Sequence, residues 1–329
     1  MRALIYKIRK GLWPKLVILC YHRIENYTSD PVKITVSKNN FLKQIDFLKD
    51  FANIINPDQL FESLKQRKNL PKRSVLLTFD DGYSSYNETM ELLLKESISA
   101  IFFISSRKKK YWWDILSKIL FENQHVEKSN YEKINALLAG LGCHFKIEES
   151  INFNLMKTLS NWNLTNENFP FNRNKAFYFL AKEMENINHY KKNRISDLIT
   201  SLSNEKRNFS YLSNKRLIDH HKIGYHTINH YNLSKLSYEN QKIEIELGKK
   251  EFESLINGKV ELFAYPFGNR YHYNDNTLEI VKKNFNFAFS NFEGLVHKDS
   301  NIYELPRFLV RDWDIDKFIL KFKSFLRKK

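Results

Sequence analysis

Eight short apolar runs, separated by stretches of helical periodicity, constrain this 329-residue chain more than any other feature. The runs are Leu16–Tyr21, Ala52–Ile55, Val75–Phe79, Ala100–Ile104, Lys222–Tyr225, Leu262–Tyr265, Phe287–Ser290 and Leu305–Val310. All are too short for helices and are bounded by polar residues, so they read as buried strands. Unbroken apolar strands need cover on both faces, and helices between them supply it. Those helices are legible. Phe41, Ile45 and Leu48 form one stripe, and Asn56-Pro57 offers an N-cap and a first-turn proline for a helix through Leu60 and Leu64. A longer helix after Ser237 reads with Ile243, Leu247, Phe252 and Leu255 inward. The fold class is α/β.

The rhythm breaks between residues 106 and 216. A basic run, Arg107 to Lys110, is followed by Trp112, Ile115, Leu116, Ile119 and Leu120 at helical spacing. This stretch reads as a helical insertion into the α/β domain. The expected organisation is a basic amphipathic segment (1–15), the first part of the domain (16–105), the insertion (106–216), the second part (217–312) and a basic amphipathic helix (313–329). Trp112 and Trp113 have two readings, stacking on sugar rings or filling a helical core.

Lys and Arg number 53 against 37 acidic residues, a formal charge of +16. That excess favours anionic partners. No Arg-rich arm, zinc-finger spacing or stacking motif supports nucleic acid, so none is expected. Both termini combine apolar and basic residues: Leu4, Ile5, Ile8 and Leu12 with Arg2, Lys7, Arg9 and Lys10, and Phe318, Phe322, Phe325 and Leu326 with Lys317, Lys321 and Lys323. Such helices either lie on an anionic membrane surface or pack on the domain. Two cysteines without a CxxC spacing suit a reducing compartment. The expected location is cytoplasmic, peripheral at the inner membrane face if the termini bind lipid.

Two motifs follow apolar strands directly: Thr78-Phe79-Asp80-Asp81-Gly82 and His226-Thr227-Ile228-Asn229-His230. Adjacent carboxylates repel unless a cation or a shared proton separates their roles. In a helical turn, residues i and i+4 face the same way, with Cβ atoms about 5–6 Å apart. Two imidazoles and one carboxylate make a metal site with room for water, and the second carboxylate is left as a general base. Asp-Gly turns and HxxxH pairs are each common on their own. Their joint occurrence at the C-terminal ends of strands is what carries weight, because those ends share one face in a barrel.

The two motifs resemble the first two signatures of the polysaccharide deacetylase, or NodB-homology, family. Cys20-Tyr21-His22-Arg23, Phe263-Ala264-Tyr265-Pro266-Phe267-Gly268 and Leu305-Pro306-Arg307 agree with one branch of it. The likeness runs from Leu16 to Val310, apart from the insertion. It implies a distorted (β/α) barrel with fewer than eight strands, and removal of an acetyl group from an N-acetylated sugar or glycan. By position, Asp80 matches the catalytic base, while Asp81, His226 and His230 match the ligands of one divalent ion. Zinc suits that donor set, with cobalt or nickel as alternatives. Phe267 matches the residue whose backbone N–H faces the oxyanion. The family's bracing arginine is replaced by Ala264, and Arg307 is expected either to brace Asp80 instead or to bind substrate. Leu295-Val296-His297 matches the family's general-acid motif, yet sits in loop-like sequence. His22, Tyr83, Tyr265, Pro266 and His272 are assigned to substrate binding, His22 and His272 being further acid candidates. The same site would serve a carbohydrate O-acetyl esterase or a sugar deformylase. A non-catalytic glycan-binding module would lack the base or a ligand, and all four residues are present.

Overall fold

The computed structural model describes residues 16–186 and 189–328. The basic segment 1–15 and Lys329 lie outside the described residues. The chain divides into two compact units, one of Met1–Glu25, Ile34–Arg107 and Asn208–Lys329, the other of Asn26–Lys33 and Lys108–Arg207.

The first unit carries the sheet. Its strands are β1 (Leu16–Tyr21), β2 (Arg23–Ile24), β3 (Thr35–Val36), β4 (Asn53–Ile54) and β5 (Ser74–Phe79). They continue with β6 (Ile101–Ile104), β7 (Lys222–Tyr225), β8 (Leu262–Ala264), β9 (Phe287–Phe289) and β10 (Phe308–Leu309). Each of the eight apolar runs overlaps one of them. The order β10-β1-β5-β6-β7-β8-β9 is parallel throughout. Phe289 bridges in parallel to Leu305, on the segment that feeds β10. There Ser290 N–H donates to Leu305 O at 2.8 Å, and Leu305 N–H to Ala288 O at 2.9 Å. The sheet therefore curls back on itself as a distorted seven-stranded barrel. β4 is a short side strand that pairs with the start of β5, below the point where β6 takes that edge.

Alternate side chains along the strands sort onto two sides. Leu16, Ile18, Leu76, Ile101, Phe103, Leu262, Ala264, Phe287 and Phe289 form one buried cluster. At the C-terminal strand ends the same parity brings Cys20, His22, Thr78 and Asp80, so the polar groups cap this cluster. The opposite parity, Tyr21, Phe79 and Phe102, packs against rings from flanking helices. Tyr21 meets Phe41 at 5.3 Å, and Phe102 meets Tyr86 at 4.9 Å.

Helix Pro57–Gln66 has the expected cap: Asn56 Oδ1 accepts Gln59 N–H at 3.0 Å, and Gln59 Oε1 accepts Asn56 N–H at 2.9 Å. The helix after Ser237 departs from expectation. It runs as α-helix over Tyr238–Lys242, π-helix over Ile243–Leu247 and α-helix over Gly248–Ile256. Phe252 is buried, but Ile243, Leu247 and Leu255 are exposed. A π turn inserts a residue and rotates the face that follows, so Gln241, Glu244, Ile245 and Gly248 point inward instead. Gly248 has no room for a side chain, since a Cβ there would lie 2.0 Å from the Tyr225 hydroxyl.

In helix Ile315–Phe325 the apolar face is occupied. Phe318 and Phe322 meet Phe47 at 6.0 and 5.9 Å, and Phe325 stacks on Phe308 at 4.1 Å. This face of the helix packs on the domain. No described helix is long and apolar enough to cross a membrane.

The second unit has its own helical core, built around Ile115, Leu116, Leu120, Phe121, Phe177 and Leu180, with Trp112 and Trp113 packed against it. Buried Arg173 ties it together by donating to the backbone carbonyls of Leu120, Asn123, Gln124, Glu148 and Glu149.

Candidate active site

β5 delivers both aspartates to the C-terminal mouth. Asp80 N–H donates to Tyr21 O at 2.9 Å, which continues the ladder between β1 and β5 by one residue. The chain then turns sharply, with Asp81 at φ +82° and Gly82 at +75°. A left-handed aspartate is strained, and such strain is typical of residues held for function. Here it points two neighbouring carboxylates at different partners.

Asp80 meets Arg307. Nη1 donates to Oδ1 at 2.7 Å and Nη2 to Oδ2 at 2.6 Å, a two-pronged clamp. The remaining donors of Arg307 reach Ser290 O at 2.7 Å and Thr78 Oγ1 at 3.2 Å. Both partners are buried. Burial pushes the Asp80 carboxyl up, but the charge and hydrogen bonds of Arg307, with the neighbouring His226 and His22, together outweigh it and hold the group below its usual value. Arg307 therefore reaches the carboxylate that Ala264 cannot.

Asp81 meets the two histidines. Its Oδ1 lies 3.4 Å from His226 Nε2 and 3.2 Å from His230 Nε2. Metal–ligand bonds of about 2.1 Å at a tetrahedral angle set ligand atoms roughly 3.4 Å apart, so the spacing fits one divalent ion. The tautomer fits as well. His226 Nδ1 lies 2.7 Å from Ala264 O, an acceptor, so Nδ1 carries the proton and Nε2 keeps its lone pair. Burial pushes the His230 imidazole down, towards the neutral form a ligand needs. Burial also opposes ionisation of Asp81, but the imidazoles of His230 and His22 overcome it and hold the carboxyl well below its usual value.

The histidine segment is not the helical turn its spacing suggested. It is a loop with Thr227 at φ +63° and His230 at +57°. Glu244, from the π turn, accepts Ile228 N–H at 3.0 Å, Asn229 N–H at 2.8 Å and Asn229 Nδ2 at 2.7 Å. Ser105 donates to Ile228 O at 2.8 Å. These bonds replace those a helix would have made, and the rings converge with centroids 4.9 Å apart. Sequence reading missed Glu244, because only the π turn rotates it inward.

Phe267 has φ +61°, with Gly268 N–H donating across it to Pro266 O at 2.7 Å. Its ring lies 4.7 Å from that of His230, so this strained turn borders the Asp81–His226–His230 cluster. His272 lies beyond it, its ring 5.1 Å from Phe267 and its Nδ1 accepting Asn269 N–H at 3.2 Å. His22 follows β1, with a buried Nδ1 that has no protein partner. It groups with Cys20 and Asp80 within ligand distance, but Arg307 already holds both Asp80 oxygens and its charge repels a cation. Burial pushes the His22 imidazole down, against the pull of Asp81 and Asp80.

Other assigned residues are placed differently. Tyr265 is buried, with its hydroxyl on Tyr303 O at 2.9 Å and its ring 4.1 Å from Tyr273, so its side chain braces the wall. Tyr83 is buried under the Arg23 guanidinium, 5.2 Å from its ring centroid. His297 is a correction. The preceding Val296 bridges Leu16, the first residue of β1, whereas Tyr21 and His22 lie at the far end of that strand. Five residues at ~3.3 Å each put His297 roughly 17 Å from the aspartates, at the opposite mouth. It is not the general acid.

A family profile described as polysaccharide deacetylase matches residues 67–135 and 175–285, more than half of the chain. Among solved structures, the Streptococcus pyogenes deacetylase PplD in complex with acetate aligns over 93% of this chain and 97% of its own, with a TM-score of 0.52 and 17% identity. IcaB from Ammonifex degensii aligns over 95% and 97%, with a TM-score of 0.51 and 19% identity. The polysaccharide deacetylase BC0361 from Bacillus cereus aligns over 94% and 69%, with a TM-score of 0.51 and 16% identity. At such identities these likenesses speak for the fold. No curated protein sequence matches the chain. The profile, the barrel and the paired motifs at its mouth together make this chain a member of the polysaccharide deacetylase family, an N-deacetylase of the hydrolase class.

Proposed function

We propose that the chain is a metal-dependent enzyme that removes the acetyl group from an N-acetylated sugar in a glycan or glycan precursor. One observation carries this reading: Asp81, His226 and His230 converge at metal-ligand spacing beside an Asp80 held ionised by Arg307. A divalent ion bound by the three ligands supplies Lewis acidity to the acetyl carbonyl and brings the pKa of water towards ~7.

Every other part falls to the protein. Asp80 takes a proton from the attacking water; the arginine clamp keeps it ionised and fixes its direction. The Phe267 N–H, in its constrained turn, faces the oxygen on which charge develops. With His297 at the other end, His22 and His272 are the imidazoles at this mouth, besides the two ligands, that could give the departing amine its proton. Asp81, His226 and His230 hold their geometry through Ala264 O and Glu244.

Elemental analysis, chelation and metal add-back test the reading, with acetate release from N-acetylated oligosaccharides as the assay. One ion per chain and activity that returns with metal are expected. Full turnover in metal-free protein refutes it.

A further inference from the structure

Both carboxylates of the site are carried by one strained turn. Asp81 sits at φ +82°, in a left-handed region that is costly for any residue with a Cβ. The segment from Asp80 to Tyr83 belongs to no helix or strand, so its buried backbone groups need partners that regular structure does not supply. Without such partners the turn would relax towards an ordinary backbone conformation and swing the Asp81 carboxylate away from His226 and His230.

Two tyrosines supply the partners. The Tyr86 hydroxyl donates to Asp80 O and accepts the Gly82 N–H, so one oxygen grips the backbone on both sides of Asp81. The Tyr211 hydroxyl donates to Gly82 O at 3.1 Å. Tyr86 opens helix Tyr86–Lys95, while Tyr211 comes from the short 3₁₀-helix Ser210–Ser213, more than a hundred residues later. Both are buried, with rings 5.7 Å apart, and Tyr86 also meets Phe102 at 4.9 Å and Phe79 at 6.2 Å. Ring packing fixes where the hydroxyls stand, and the hydroxyls fix the turn.

We infer that Tyr86 and Tyr211 are positioning residues of the active site. By holding the backbone of Asp80 and Gly82, they keep Asp81 in the left-handed conformation that brings its carboxylate to His226 and His230 and leaves Asp80 facing Arg307. The inference rests on the metal-site reading of Asp81, His226 and His230. The hydroxyls bond backbone atoms, so the tyrosines act through the two aspartates and not on the acetyl group.

Tyr86→Phe and Tyr211→Phe each delete one hydroxyl and keep the ring. Tyr21→Phe is the control, since its buried hydroxyl bonds Gln44 Oε1 at 3.1 Å, on helix Lys38–Phe51. Zinc affinity of the full chain, measured by chelator competition well below the unfolding temperature, should fall about 10- to 100-fold in both test variants, as it does when outer partners of metal ligands are lost. The control should bind zinc like wild type even where thermal melting shows an equal loss of stability. Amide exchange over residues 80–83 in metal-free protein is the second readout, and protection there should drop in the test variants alone. Should Tyr86→Phe not fold, Tyr211→Phe carries the test. A variant at wild-type affinity removes its tyrosine from the role. Both at wild type, or a control that loses zinc as they do, overturns the inference. If wild type itself binds no zinc, the metal reading fails, and exchange alone decides whether the tyrosines hold the turn.

Discussion

Arg307→Met removes the clamp from Asp80 while keeping much of the side-chain volume. Four hydrogen bonds go with it: two to Asp80, one to Ser290 O and one to Thr78. Asp80 is 3% exposed, so water cannot replace the guanidinium. Breaking a buried pair by deleting one partner costs about 3–5 kcal/mol, because the remaining charge is uncompensated. That loss is expected at pH 8, and its pH dependence has a definite sign. In the native pair the Asp80 pKa is depressed, so its contribution is complete above the ordinary carboxylate value and is lost as pH falls through the depressed one. Without Arg307, burial raises the same pKa, and the carboxyl escapes its penalty by taking a proton. The gap between wild type and variant should therefore narrow by about 1.4 kcal/mol per unit as pH falls below the raised pKa. Urea unfolding between pH 5 and pH 8 measures this, and kcat should fall by about 10²–10⁴ as the ionised base is lost. Arg307→Lys, which keeps the charge without the fork, should lie between the two. A variant as stable as wild type at pH 8, or a gap that widens towards acid, would refute the reasoning.

Asp80→Asn should retain metal and lose about 10²–10⁴ in kcat, whereas Asp81→Asn should lose metal affinity first and recover part of its turnover in excess metal; metal content and kcat on both variants decide it. Glu244→Gln turns an amide towards the Ile228 and Asn229 N–H donors, so metal affinity measured by chelator competition should drop about 10- to 100-fold. His221 accepts Ala100 N–H on Nδ1, its Nε2 lies 3.1 Å from Met90 O, and burial lowers its pKa from 6.5 to about 4. Its contribution is complete above pH 6.5 and is lost towards pH 4, roughly 3 kcal/mol in all, so His221→Gln should flatten the stability profile measured by unfolding across that window.

The barrel was legible because burial on both faces leaves short, unbroken apolar runs, and the mouth because chemistry collects at C-terminal strand ends. Periodicity failed where the backbone left its standard period. Ile243, Leu247 and Leu255 fall inward only on a helix without a π turn, and His226 and His230 share a face only if the loop between them is helical. Glu244 ties the two departures together, since the residue that the π turn rotates inward is the one that accepts the loop's N–H groups. Local strings also misled. Leu295-Val296-His297 matches a motif letter for letter, but which mouth it occupies depends on Val296 meeting Leu16, a contact across 280 positions that no short pattern encodes.

What the site demands of each position explains which departures from the family pattern it tolerates. At Ala264 the side chain is dispensable, because the guanidinium normally expected there arrives on Arg307 from β10's approach. The Ala264 carbonyl is not dispensable: it fixes the His226 tautomer, and only a strand in register with β7 places it there. Phe267 follows the same logic, since its proposed role belongs to its N–H and the constraint on it is the left-handed turn closed by Gly268. Substitutions that preserve that turn should therefore cost little turnover at Phe267. Gly268, at φ +68° and with Asn291 Cβ 2.5 Å from where its own Cβ would lie, has no such freedom, since a side chain there would push the Asn291 segment away and open the turn.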